Sequence, residues 1–112
     1  MALWNTRLVN FKAYRCFASI LFTGRLRGLV VQIRILNLYA SYRDQNHFWD
    51  RSMDADILKM DSLIVDGNLN ATIGQEECWG SKCRMDPLAD KLKTILCDRN
   101  LMDTRPQKLA PT

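Results

Sequence analysis

The stretch Ile64-Val65-Asp66-Gly67-Asn68-Leu69-Asn70-Ala71-Thr72 runs from an apolar segment into a polar turn. Residues 62–66 (SLIVD) predict a short buried strand. The following GNLNATIG predicts a loop beginning at Gly67, because Gly and Asn favour positive φ and local side-chain hydrogen bonds. A Gly-Asn-x-Asn turn at a strand end is by itself no more than a polar loop. Its neighbours on both sides give it weight.

Upstream, residues 29–40 (LVVQIRILNLYA) alternate in part, with Val31, Ile33 and Ile35 on one face and Gln32 and Arg34 on the other. Residues 4–11 and 12–22 are rich in aromatic and β-branched side chains, which favours strands. TGRLRG at 23–28 carries two glycines and predicts a turn. Segments 12–22 and 29–40 are therefore expected to form an antiparallel hairpin around it. Between this hairpin and the central motif, residues 44–59 predict a helix. Trp49, Met53 and Ile57 recur every fourth position, Met60 follows, and Asp54 and Asp56 are the places where the helix can break.

Downstream, residues 73–85 show no period and predict loop. Asp86 is a natural N-cap and Pro87 suits a first helical position. Leu88, Leu92, Ile95 and Leu96 then make one apolar stripe, and Asn100 can close the helix in the left-handed conformation. Leu101–Asp103 predicts a brief strand, and the tail with Pro106 and Pro111 predicts frayed chain. The order of strands, helix, strand, helix, strand suits a layered α/β or α+β arrangement with helices covering sheet.

Several short motifs fall in sequence along this frame. Leu36-Asn37-Leu38-Tyr39-Ala40 ends a strand and is followed by Phe48-Trp49. The Gly67-Asn68-Leu69-Asn70 turn comes next, then Glu77-Cys78-Trp79-Gly80, Asp86-Pro87-Leu88-Ala89-Asp90 and Asn100-Leu101-Met102-Asp103. The succession resembles the endonuclease domain of LINE-type retrotransposons, especially plant ones, within the endonuclease/exonuclease/phosphatase superfamily. That family shows a strand ending in a Tyr-Ala-Pro-like motif, a helix with Phe-Trp, a strand running into Gly-Asp-(Phe/Leu)-Asn, and a Leu-(Val/Met)-Asp segment after a further helix. The resemblance runs from about Phe11 to the C-terminus. It marks residues 1–112 as one partial domain, an α/β (α+β) fragment of the family's two-sheet sandwich with helices packed on the sheets.

The resemblance implies hydrolysis of phosphodiesters, with DNA as substrate and Mg²⁺ as cofactor; it is compatible with an intracellular, nuclear setting, while the sequence itself leaves the compartment open. Tyr39 falls on the family's phosphate-contacting Tyr, and Asn70 on the Asn that positions the phosphate. Asn68 stands where the family has the Asp that orients and helps deprotonate the attacking water. Ser41 stands near where the family often has Pro, a smaller departure. The change at position 68 is chemical rather than steric. A carboxylate brings a negative charge, four acceptor sites and a basicity suited to proton abstraction, whereas an amide has none of these and turns NH₂ donors toward the water. Loss of a catalytic base costs on the order of a hundred- to ten-thousand-fold. Asp66 lies two positions earlier, but with a turn expected at Gly67 it is not expected to substitute. A second deficit concerns the ion. The family's metal-binding Asn and Glu lie near the start of its domain, and an Asp and a closing His near its end. Neither pair has a counterpart here. His47 lies in the wrong segment, where packing or exposure beside Phe48 and Trp49 is the expected role, and Glu76 and Glu77 follow the motif instead of preceding it. The vestigial catalytic set is thus Tyr39, Asn68 and Asn70, with no metal ligand, and the chain is expected to be inactive.

Charge is distributed unevenly. The first 43 residues hold seven Arg or Lys and no Asp or Glu, so with a net charge of +4 overall they carry +7 and the remainder −3. A solvated strand face bearing Arg ranks first as the explanation, a surface meeting phosphate second, and a transit peptide last. The second reading gives an alternative function, a non-catalytic nucleic-acid-binding module in which Arg15, Arg25, Arg27 and Arg34 on the basic hairpin contact phosphates. Cys16, Cys78, Cys83 and Cys97 lack the histidines and spacing of a zinc site, and idle thiols are expected. The longest largely apolar run, Cys16–Phe22, is far shorter than the ~20 residues a bilayer span needs, so no transmembrane helix is expected. A sandwich lacking strands exposes sheet edges and one apolar face, which favours self-association.

Overall fold

The computed structural model describes residues 2–78, 80 and 84–104. It is a mixed α+β structure built on one four-stranded sheet and two helices. Strands β1 (Val9–Cys16), β2 (Ser19–Leu26), β3 (Gln32–Tyr39) and β4 (Leu63–Asn68) lie side by side in chain order. The first two pairings are antiparallel and the third, β3 with β4, is parallel. The crossover required between parallel strands is helix α1 (Gln45–Asp54) and a short 3-10 turn at Asp56–Lys59. The chain divides into two compact units, Met1–Leu69, which holds the whole sheet and α1, and Asn70–Thr112, which holds α2 (Ala89–Asp98).

The hairpins differ from expectation, and the reason lies in one glycine. Of residues 23–28 only Arg27 and Gly28 belong to a turn: β2 runs straight through Thr23 and Gly24 to Leu26. A Cβ at Gly24 would run into the Asn10 carbonyl and the Phe11 ring, so this glycine permits close approach of β1 within the sheet. The first turn is instead Phe17-Ala18, where Ala18 takes φ 46°. The second spans residues 27–31, with Gly28 at φ 84° and Leu29 N–H donating to the Leu26 carbonyl at 3.1 Å. Residues 4–8 lie outside β1, and Val31 lies outside β3 and is exposed. The alternation expected in β3 is present, with Ile33 and Ile35 opposite in direction to Gln32 and Arg34.

One sheet face carries the core of the first unit. Leu36 is completely buried, Leu21 faces it across the ladder, and Leu38 follows on the same side. Phe48 and Trp49 of α1 and Leu58 of the 3-10 turn are buried as well. Helix α1 stops at Asp54, and Ala55 turns to extended backbone (φ −74°, ψ 118°). The predicted break among Asp54–Asp56 is therefore where the helix ends. The Phe17 ring at the first hairpin turn lies 6.0 Å from Phe48, and the Arg51 guanidinium sits 3.8 Å above Phe17, which ties α1 to that turn. The opposite sheet face is also apolar. Trp4, Phe11 and Phe22 meet edge to face there at 6.0–6.5 Å, yet Ile20 and Ile64 remain 41% and 53% exposed.

In the second unit, Asp86 organises the start of α2. Its carboxylate accepts from Leu88 N–H at 2.9 Å and from Thr72 N–H at 3.1 Å. It thereby holds the turn that precedes the helix, but it is not the N-cap: that position is Leu88, without a side-chain cap bond, and the helix begins at Ala89 rather than at Pro87. Leu88, Ala89, Leu92 and Ile95 are buried along one stripe of the helix, with Leu96 beside them. Asn100 takes φ 51°, and Leu101 N–H donates to the Leu96 carbonyl at 2.8 Å, the left-handed closure expected of it. Leu101–Asp103 is not a strand, since no neighbouring strand pairs with it. The tail with Pro106 and Pro111 lies outside the described residues, as does Cys83; Cys16, Cys78 and Cys97 are free thiols.

Candidate functional site

The parallel pairing of β3 and β4 brings the motif residues of the first unit together. Tyr39 lies opposite Asn68, and one step back Asn37 lies opposite Asp66. Successive side chains of a strand alternate in direction, so Asn37, Tyr39, Asp66 and Asn68 share one sheet face at the C-terminal ends of two adjacent parallel strands. The two ends are locked by the backbone: Ala40 N–H donates to the Asn68 carbonyl at 2.9 Å, and Tyr39 N–H to the Ala18 carbonyl at 3.0 Å.

Gly67 corrects one expectation. No turn begins there; β4 continues to Asn68, and Asp66 stays on the same face as Asn68. Gly67 has φ 131°, and a Cβ on it would strike the Leu38 backbone, so only glycine allows β4 to lie this close to β3. Sequence reasoning read this glycine as a turn former and so set Asp66 aside. The register makes Asp66 the one carboxylate on β3 or β4.

Tyr39 is 58% exposed and borders two hollows. One, of about 380 Å³, is shared with Arg15, Ile20 and Asn37 on the same face. The other, about 200 Å³ and largely apolar, lies among Phe17, Arg43, His47 and Phe48. His47 is thus an exposed wall residue of the second hollow. Asn70 takes φ 47° and begins the second unit.

The four arginines of the basic hairpin do not share a surface. Arg15 lies on the face of Tyr39, whereas Arg25 and Arg34 point to the other face. Arg27 follows β2, with its N–H bound to the Leu8 carbonyl at 2.8 Å. Arg34 donates to the Asp61 carbonyl at 2.7 Å and to Gln32 Oε1 at 3.5 Å, tying β3 to the turn before β4.

The described residues do not fit a Mg²⁺ centre. Such an ion takes oxygen ligands in octahedral array, usually with one or two carboxylates plus phosphate and water. Among the described residues no three His, Cys, Asp or Glu side chains come together. Asp66 stands among amides and a phenol on its face, and Glu77 is spent on the Ile73 N–H at 2.9 Å. Among the described residues no helix is long and apolar enough to cross a membrane. No protein-family model matches the chain, and no curated protein is significantly similar to it.

Proposed function

We propose that this chain is a retrotransposon-derived domain of the endonuclease/exonuclease/phosphatase type that has lost turnover. The observation that carries the proposal is the register of Tyr39 against Asn68 at the ends of adjacent parallel strands. In that place a phenol hydroxyl and an amide project side by side, an arrangement suited to hydrogen-bonding a phosphodiester. What the arrangement lacks is a base at position 68. An amide can hold a water by hydrogen bonds but cannot take its proton, and Asp66, one strand repeat (~7 Å) back, is opposite Asn37 rather than Tyr39. On this reading the two-sheet sandwich is the parent architecture, DNA the parent substrate, and Mg²⁺ the parent cofactor.

Supercoiled plasmid incubated with the purified chain and Mg²⁺, beside an Asn70→Ala control, tests the proposal. Unchanged plasmid in both reactions is the expected result. Mg²⁺-dependent nicking by the natural chain that disappears in the control overturns the inactive reading.

A further inference from the structure

The first three strands build a second polar surface on the sheet face opposite Tyr39. Their register sets out a grid. Asn10, Arg25 and Gln32 form one row across β1, β2 and β3; Lys12, Thr23 and Arg34 form the next; Tyr14, Leu21 and Leu36 form the third. Asn10, Lys12, Tyr14, Thr23, Arg25 and Gln32 line a shallow trough of about 320 Å³. Lys12 and Arg25 are diagonal neighbours across β1 and β2, about 7–8 Å apart at the backbone. Arg34 is occupied by Asp61 and Gln32, so the cations turned toward the trough are Lys12 and Arg25. Because Gln32 turns its Oε1 to Arg34, its NH₂ group remains as a donor.

No carboxylate lies anywhere on β1, β2 or β3, and the first acidic residue of the chain is Asp44. Among the described residues neither Lys12 nor Arg25 is in an ion pair, so the patch is left to attract anions. Tyr14, half exposed at the end of the trough where the apolar row begins, adds a flat aromatic face. Two cations at this spacing, amide donors beside them and one accessible ring match a phosphate backbone with one unstacked base. A duplex keeps its bases paired and offers no face to Tyr14, whereas a single strand does.

We infer that the β1–β2–β3 face is a binding surface for single-stranded nucleic acid, with Lys12 and Arg25 on successive phosphates and Tyr14 stacked on a base. The inference does not rest on nuclease ancestry, since it uses the opposite face from Tyr39 and Asn68. Binding is sequence-independent and weakens as salt rises.

Fluorescence anisotropy with a labelled oligo-dT of about 12 nucleotides, inside the ~4–16 that one such surface covers, tests it. EDTA in the buffer keeps the readout apart from any Mg²⁺-dependent cleavage. Lys12→Gln with Arg25→Gln is expected to lower the logarithmic salt slope by roughly 1.4, about 0.7 per phosphate contact on a single strand. Tyr14→Ser is expected to weaken binding about ten-fold with the salt slope unchanged, and Tyr14→Phe to bind as the natural chain does. Lys91→Gln with Lys93→Gln removes the same charge from α2 and is expected to change little. On the unsubstituted chain, oligo-dT is expected to slow acetylation of Lys12 but not of Lys93, a readout independent of whether any variant folds. Equal losses in the two charge pairs, tighter binding of a duplex of the same length, or Lys12 acetylation unaffected by oligo-dT overturns the inference.

Discussion

At the scale of single residues, the strongest physical statement concerns position 68. On the proposed reading Asn68→Asp restores the charge and the acceptors that a nuclease motif would need, yet it adds only one carboxylate to a strand face that otherwise holds Asp66 alone. Metal-assisted hydrolysis needs a closed set of oxygen ligands around the ion as well as a base. The variant is therefore expected to leave supercoiled plasmid intact in Mg²⁺, and nicking above the level of the natural chain would contradict this. Gly67 is the second decisive residue. With φ 131° and the Leu38 backbone against its α-carbon, Gly67→Ala forces a strained backbone and a clash together. A loss of at least about 1–3 kcal/mol is expected, read from urea unfolding; an unchanged midpoint would show that β4 does not lie against β3 here.

At the scale of elements, what the sequence revealed depended on how local the signal was. Helix α2 (Ala89–Asp98) was legible because its apolar stripe and the left-handed stop at Asn100 are written within a few residues, but its start was not: Leu88, without a side-chain cap bond, holds the N-cap position expected of Asp86. The break in α1 was legible from Asp54 and Asp56 for the same reason. The hairpins were legible only in part: the antiparallel pairing of residues 19–22 with 35–38 and a glycine in the turn between β2 and β3 were expected, whereas the hairpin of β1 and β2 was not. Gly24 looks like a turn former in sequence, and only its closeness to Asn10 across the ladder shows that it serves packing. The first turn, Phe17-Ala18, has no Gly, Asn or Pro to announce it, and Ala18 accepts φ 46° because the flanking ladder imposes it. The site was legible to the same degree. Tyr39 and Asn68 were singled out from motif order, but their direct opposition is a matter of parallel register, which no local pattern encodes. Misplacing the turn also hid Lys12 and Tyr14, which share a face with Arg25 only when Cys16 pairs with Ser19. Two element-level tests follow. Asn100→Ala keeps the helix but places a Cβ-bearing, non-amide residue at φ 51°, and a loss of about 1 kcal/mol in thermal unfolding is expected; no change would mean that the helix end frays before it closes. Leu36→Ala removes the one large side chain that is fully buried among the described residues, and about 2–5 kcal/mol should be lost. A loss below that range would place the core elsewhere.

At the scale of the whole molecule, the sheet has apolar side chains on both faces but buries only one of them well. Leu21, Leu36 and Leu38 are inside, while Ile20 and Ile64 on the other face stay exposed beside the Trp4–Phe11–Phe22 cluster. Among the described residues, strands β1 and β4 are the outermost of the four. Both features favour association between copies in water. Sedimentation velocity across a concentration series should show the mean mass rising with concentration. A monomer throughout, with a sharp melt that does not move with concentration, is the contrary result.

The proposed function turns on the Tyr39–Asn68 face, which on that reading would present phosphate-holding groups without the oxygen ligands or the base that metal-assisted phosphodiester hydrolysis requires. The most direct test is a titration of the purified chain with Mn²⁺, a Mg²⁺ surrogate, followed by electron paramagnetic resonance. The expected result is no saturable site at millimolar ion in either the natural chain or Asp66→Asn. A single saturable site in the natural chain that disappears in Asp66→Asn would show that this face does hold a catalytic ion, and the claim would be wrong.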